Sequence, residues 1–121
     1  MSKKKIMIVD DDREFLEELT ETLALSGYDT EAFSDGASAL KMAHKIKPDV
    51  ILLDLNMKEK SGFEVADELK YGSRTAHIPI IAMTAFYTGK EHALLMHMYG
   101  ITTCLLKPFS PADLIAKIEQ E

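Results

Sequence analysis

The sequence is short of several things, and each shortage excludes a class of protein. It has one cysteine, Cys104. A single thiol forms no internal disulfide and no cysteine-based zinc site. No apolar run approaches the length needed to cross a membrane. Near the N-terminus only Ile6-Met7-Ile8-Val9 is apolar before Asp10-Asp11-Asp12 begins, and four residues cannot form the core of a secretion signal. There is no basic excess either. The net charge is −6, whereas a domain that reads DNA or RNA presents a positive face to phosphates. The run Lys3-Lys4-Lys5 does not change that and reads as a solvated N-terminal stretch. No repeat, low-complexity tract or linker interrupts the chain. The expectation is one domain over residues 1–121, with no output domain attached, no direct nucleic-acid contact and no membrane contact, in a reducing cytoplasm.

What is present is ordinary globular material: 46% hydrophobic and 28% charged residues, enough to bury one core at this length. Short apolar runs alternate with helical patterns from end to end. Ile6–Val9 and Val50–Leu53 are continuous apolar runs, as in strands buried on both faces. Thr30–Phe33 is a weaker strand, Ile78–Met83 a fourth with Pro79 near its start, and Thr103–Leu106 a fifth. Between them, Phe15, Leu16, Leu19 and Leu23 form one helical stripe closed by Gly27. Residues 35–47 read as a helix stopped by Pro48, residues 63–71 as a helix between Gly62 and Gly72, and residues 90–99 as a helix between Gly89 and Gly100. Ser110 caps a last helix with Pro111 at its first position and Asp113 in its first turn. Five strands alternating with five helices predict a doubly wound α/β fold, a parallel sheet with helices on both faces.

In such folds ligands bind beyond the carboxyl ends of the strands, so the residues just after each strand are the candidates. They are Asp10, Asp11 and Asp12 after the first strand, Asp54 at the end of the third, Thr84 and Ala85 after the fourth, and Lys107 with Pro108 after the fifth. Asp12 sits where a helix N-cap belongs. Asp10, Asp11 and Asp54 would crowd three carboxylates together, which is costly unless a cation neutralises them. Mg²⁺ suits a site with few carboxylates and several waters. With a fixed ammonium from Lys107 and a hydroxyl from Thr84, the set makes a receptor for a phosphoryl group. Asp54 is the natural nucleophile, since a carboxylate can form an acyl phosphate. His44, His77, His92 and His97 show no metal spacing and read as surface or satisfied residues.

The segments Val9-Asp10-Asp11-Asp12, Leu52-Leu53-Asp54-Leu55-Asn56-Met57, Met83-Thr84-Ala85 and Leu106-Lys107-Pro108-Phe109 together resemble the receiver domains of two-component response regulators, across essentially the whole chain. The resemblance implies a flavodoxin-like sheet in the order 2-1-3-4-5. It implies Asp54 as phosphoacceptor, and Asp10, Asp11, Asp54 and the backbone carbonyl of Asn56 around Mg²⁺. Thr84, Ala85 and Lys107 would bind the phosphoryl group, and the Lys107–Pro108 bond is often cis in such domains. The implied donor is a sensor histidine kinase or phosphotransfer protein. The implied activity is signal relay with slow self-dephosphorylation, not metabolic catalysis, through a surface of helix 4, strand 5 and helix 5 to an unknown downstream protein.

Three positions depart from the family pattern. Lys58 stands where a proline is usual, giving a charged loop whose lysine is either solvated or near the phosphoryl group. Cys104 stands where a mobile aromatic is usual, so the switch is expected to be atypical. The fourth helix is apolar nearly all round; burial of Ala93 and Leu94 would turn Leu95 and Met98 outward as a surface for a partner or a homodimer. One rival reading is an aspartate-dependent phosphatase, disfavoured because Asn56 replaces the second acid and no cap segment exists. The other is a receiver-fold interaction module with reduced or atypical phosphorylation-dependent switching.

Overall fold

A computed structural model describes residues 4–86, 89–101 and 103–121. Its elements run β1 (Lys5–Val9), α1 (Arg13–Leu25), β2 (Asp29–Phe33), α2 (Gly36–Ile46), β3 (Val50–Asp54), α3 (Gly62–Tyr71), β4 (Ile80–Thr84), α4 (Lys90–Met98), β5 (Thr103–Leu106) and α5 (Pro111–Glu119). The strands form one parallel sheet in the order β2-β1-β3-β4-β5. The doubly wound fold, the order and the element types are those anticipated.

Strand alternation divides the core in two, because successive side chains point to opposite faces. Ile6, Ile8, Leu52, Ile81 and Met83 pack with Leu16, Leu19 and Leu23 of α1 and Leu114 and Ile118 of α5. Met7, Val9, Ile51, Leu53 and Ala82 pack with Ala39 and Ala43 of α2, Val65, Ala66 and Leu69 of α3, and Met96 of α4. Both faces being covered explains why β1, β3 and β4 read as continuous apolar runs. β2 lies at an edge and keeps a mixed composition, with Thr30 and Phe33 half-buried and Asp29, Glu31 and Ala32 exposed.

Local signals set the helix ends. Asp12, Asp35, Ser61 and Ser110 each accept a hydrogen bond from the backbone N–H three residues on, satisfying donors the helix leaves open. At the end of α1, Gly27 (φ 93°) lets its own N–H reach Ala24 and that of Tyr28 reach Leu23, at 3.1 and 3.0 Å. This double closure needs a left-handed residue. β4 begins two residues later than its pattern suggested. Pro79 has no N–H for the ladder, and the Ile78 N–H closes a turn on Thr75 at 3.0 Å, so pairing starts at Ile51–Ile80.

Helix α4 corrects an expectation. Ala93 and Leu94 are exposed, Leu94 by 62%. The inward stripe is Met96, buried, flanked by half-buried His92 and Tyr99, a spacing of four and three residues. The rings of His92 and Tyr99 lie 6.0 and 5.5 Å from that of Phe63 on α3, and this aromatic contact sets the rotation of the helix. Leu95 and Met98 do face outward, at 42% and 57% exposure.

The loop after β3 is held against the strand end by Gly62. A Cβ there would lie 2.3 Å from the Asp54 carbonyl oxygen and 2.7 Å from Leu55 Cα. Gly62→Ala is expected to lower unfolding stability by about 1–3 kcal/mol, checked by urea denaturation.

Candidate functional site

The chain leaves β1 toward β2 on one side and enters β3 on the other, so a crevice opens at the carboxyl ends of β1 and β3. Asp10 follows β1 and is fully buried. Its main chain is pinned by an N–H donation to Phe33, 3.1 Å. Its side chain accepts from the Asp12 N–H at 3.0 Å and from the Lys107 ammonium at 2.6 Å. Asp54 is the last residue of the β3 ladder, paired with Met83, and is 5% exposed. Its Oδ1 accepts the Asn56 N–H at 3.1 Å and lies 3.9 Å from Lys107 Nζ. Asp11, half-buried, accepts the Lys58 N–H at 2.9 Å.

Asp10, Asp11 and Asp54 each offer a carboxylate oxygen, and these oxygens lie within 4.8 Å of one another. Three carboxylates face one ammonium, so the cluster carries excess negative charge. Hard oxygen donors with that charge fit a divalent cation, the smaller Mg²⁺ retaining waters in the remaining positions.

The structure thus brings together Asp10, Asp11, Asp54 and Lys107, all anticipated. Thr84 is present and buried, but its hydroxyl is otherwise engaged. It donates to the Phe86 carbonyl at 2.9 Å and accepts from Asn56 Nδ2 at 2.8 Å and the Phe86 N–H at 3.1 Å. Ala85 is exposed beside it. The Lys107–Pro108 bond is cis. The Lys58 side chain is exposed and lines an outer groove with Arg13, Asp35 and Lys60; its tie to the site is the main-chain N–H. Cys104 is half-buried on β5 opposite Ala82, and burial pushes its thiol up while Lys117 pulls it down.

Two participants escaped sequence reading. The Lys107 ammonium lies 4.1 Å from the centre of the Phe15 ring, within cation–π range, and Phe109 packs edge-on against that ring at 5.9 Å. In the sequence Phe15 is one more member of an apolar stripe. The contact of the Asn56 side chain with Thr84 was not legible either, since it spans 28 positions.

A model of the response regulator receiver domain matches residues 6–119. The DNA-binding response regulator MtrA of Mycobacterium tuberculosis (strain ATCC 25618 / H37Rv) is 34% identical over 96% of this chain and 49% of its own length. The chain spans about half the length of the curated relatives it matches. The chemotaxis protein CheY4 of Vibrio cholerae superposes with a TM-score of 0.93 at 32% identity, covering 98% of each chain. The receiver domain of sensor histidine kinase PA1611 from Pseudomonas aeruginosa PAO1 shares the fold, with a TM-score of 0.88 at 24% identity over 98% of this chain and 97% of that one. That structure has magnesium coordinated in its active site cleft.

The site's charge has a stability consequence. Burial raises the Asp54 carboxyl from 3.8 to about 6; the Asn56 N–H lowers it, Asp10 raises it, Lys107 lowers it and Asp11 raises it. A carboxyl whose folded pKa lies above its unfolded one stabilises the fold when protonated. That contribution is complete below about pH 4 and is lost as pH rises through about 6. In metal-free buffer near about pH 7.5, Asp54→Asn is expected to be more stable than the parent by about 1–3 kcal/mol. The difference should close toward about pH 4, as read by urea unfolding at both pH values.

Proposed function

The chain belongs to the family of response regulator receiver domains, and from that premise we propose that Asp54 accepts a phosphoryl group from a histidine kinase or phosphotransfer protein. The carrying observation is the buried Asp54 carboxylate at the end of β3, with the oxygens of Asp10 and Asp11 within 4.8 Å and Lys107 at 3.9 Å. In the step, an Asp54 carboxylate oxygen attacks phosphorus. The bond from phosphorus to the donor nitrogen or oxygen breaks, and its electron pair leaves with the donor. The rigid ladder holds the nucleophile still, which favours in-line attack.

Asp10, Asp11, Asp54 and the Asn56 carbonyl are the proposed holders of Mg²⁺, which when bound neutralises charge on the transferring phosphoryl oxygens. Lys107, braced by Asp10 and Phe15, supplies a fixed positive charge near those oxygens. Thr84 supplies its hydroxyl proton and Ala85 leaves room beside it. The product is an acyl phosphate that slowly hydrolyses; no metabolic substrate is turned over. One domain over residues 1–121, acting in the cytoplasm, is the proposed unit. The net charge of −6 speaks against contact of this domain with nucleic acid, whatever the rest of its DNA-binding relatives does. Among the described residues no helix is long and apolar enough to cross a membrane.

Incubation with acetyl phosphate and Mg²⁺ is expected to add one phosphoryl group, read by intact mass. Asp54→Asn or chelation of Mg²⁺ should abolish the addition. No modification of the parent would favour the alternative, an interaction module without phosphorylation, which the thiol at Cys104 in place of a mobile ring supports.

We also propose that Leu95 and Met98, exposed on α4, contact a downstream protein or a second copy in a homodimer. Leu95→Glu with Met98→Glu is expected to weaken that association about tenfold or more, as measured by sedimentation or pull-down. Unchanged association would exclude this face.

A further inference from the structure

The Lys107 ammonium has three N–H donors to place. One meets Asp10 Oδ2 at 2.6 Å, while Asp54 Oδ1, at 3.9 Å, lies beyond hydrogen-bond reach. The ammonium also sits over the Phe15 ring, 4.1 Å from its centre. At that distance the negative face of the ring attracts the cation. The main chain of Lys107 is fixed separately, its N–H donating to the Thr84 carbonyl at 2.8 Å.

The ring is itself held in place. The Phe15 N–H donates to the Asp12 side chain at 3.2 Å, so the helix cap that follows the acidic pair also sets this ring beside the strand ends. Phe109, just beyond Pro108, stands edge-on to it at 5.9 Å.

The neighbours of the ammonium are not equivalent. Asp10 has both oxygens engaged, one by Lys107 and the other by the Asp12 N–H, and it is one of the proposed Mg²⁺ holders. A carboxylate that serves a divalent cation gives up part of its hold on an ammonium. Asp54 is the proposed nucleophile and loses its carboxylate charge when it forms an acyl phosphate. The ring is neither metal ligand nor nucleophile. It also adds no charge to a cluster of three carboxylates, where a fourth acid would deepen the excess.

We propose that Phe15 is a positioning residue for phosphoryl transfer, whose ring holds the Lys107 ammonium in the site when Asp10 serves the metal and Asp54 the phosphoryl group. The inference rests on the phosphoacceptor reading of Asp54 and adds what keeps the ammonium in place.

Fluorine on the ring withdraws charge from its face and leaves its size nearly unchanged. Monofluoro- and trifluorophenylalanine in place of Phe15 therefore separate attraction from packing. Two quantities are read. One is the ¹H shift of the Lys107 ε-methylene, which the face of a ring moves upfield. The other is the rate of Asp54 phosphorylation by acetyl phosphate in saturating Mg²⁺, followed by intact mass. In the parent the upfield shift is expected without metal and should persist when Mg²⁺ is added. Phosphorylation should slow with each step of fluorination, reaching about threefold to tenfold for trifluorophenylalanine and for Phe15→Leu. Phe15→Tyr, which keeps the ring face, should match the parent. A rate independent of fluorination overturns the inference even where Phe15→Leu is slow, because packing alone then accounts for the ring. So does a Lys107 signal that loses its upfield shift on addition of Mg²⁺. Both results leave Asp54 standing as the phosphoacceptor. Absence of any phosphoryl addition to the parent overturns that reading and this one together.

Discussion

Three carboxylates share one edge of the sheet with a single ammonium among them, and the surrounding structure answers to that imbalance. Lys107 cannot neutralise the set alone. It lies on Asp10 at 2.6 Å and reaches Asp54 only at 3.9 Å. Main-chain N–H groups share the remaining work: Asp12 to Asp10, Lys58 to Asp11 and Asn56 to Asp54. Residual crowding joins burial in raising the Asp54 carboxyl to about 6. The resting site is therefore held short of positive charge, which a divalent cation can supply.

Rigid and adaptable parts are separated around this edge. Asp54 is inside the β3 ladder and Asp10 follows directly on β1, two adjacent interior strands of the sheet. Their positions are set by a core buried on both faces. Thr84 ends β4 and hands its hydroxyl to the segment beyond it. Fixed carboxylates beside an engaged hydroxyl make a site whose charge can change without moving the sheet.

Much of this was legible from residue order. Continuous apolar runs at Ile6–Val9 and Val50–Leu53 marked strands covered on both sides, and Asp12 and Ser110 marked helix starts by local capping chemistry. The acidic pair, Asp54, Thr84 and Lys107 could be named because each directly follows a strand. Helix α4 was read in the wrong phase. Its sequence is apolar on nearly every side, so periodicity could not choose a face. The choice came from the Phe63 ring on another helix. Pro79 delayed β4, an effect of a missing donor that the apolar pattern conceals.

By itself the sequence determined the alternation of elements, the sheet class and the acids, threonine and lysine at the strand ends. Those are consequences of local periodicity, capping and chain order. Tertiary structure alone decided that Lys107 rests on Asp10 and the Phe15 ring, and that Thr84 is occupied by Asn56 and Phe86. It also decided which side of α4 is buried. Most of these contacts join residues far apart along the chain; even the short Thr84–Phe86 link depends on how β4 ends. Their direction depends on distances of a few tenths of an ångström, and no spacing rule along a sequence encodes that.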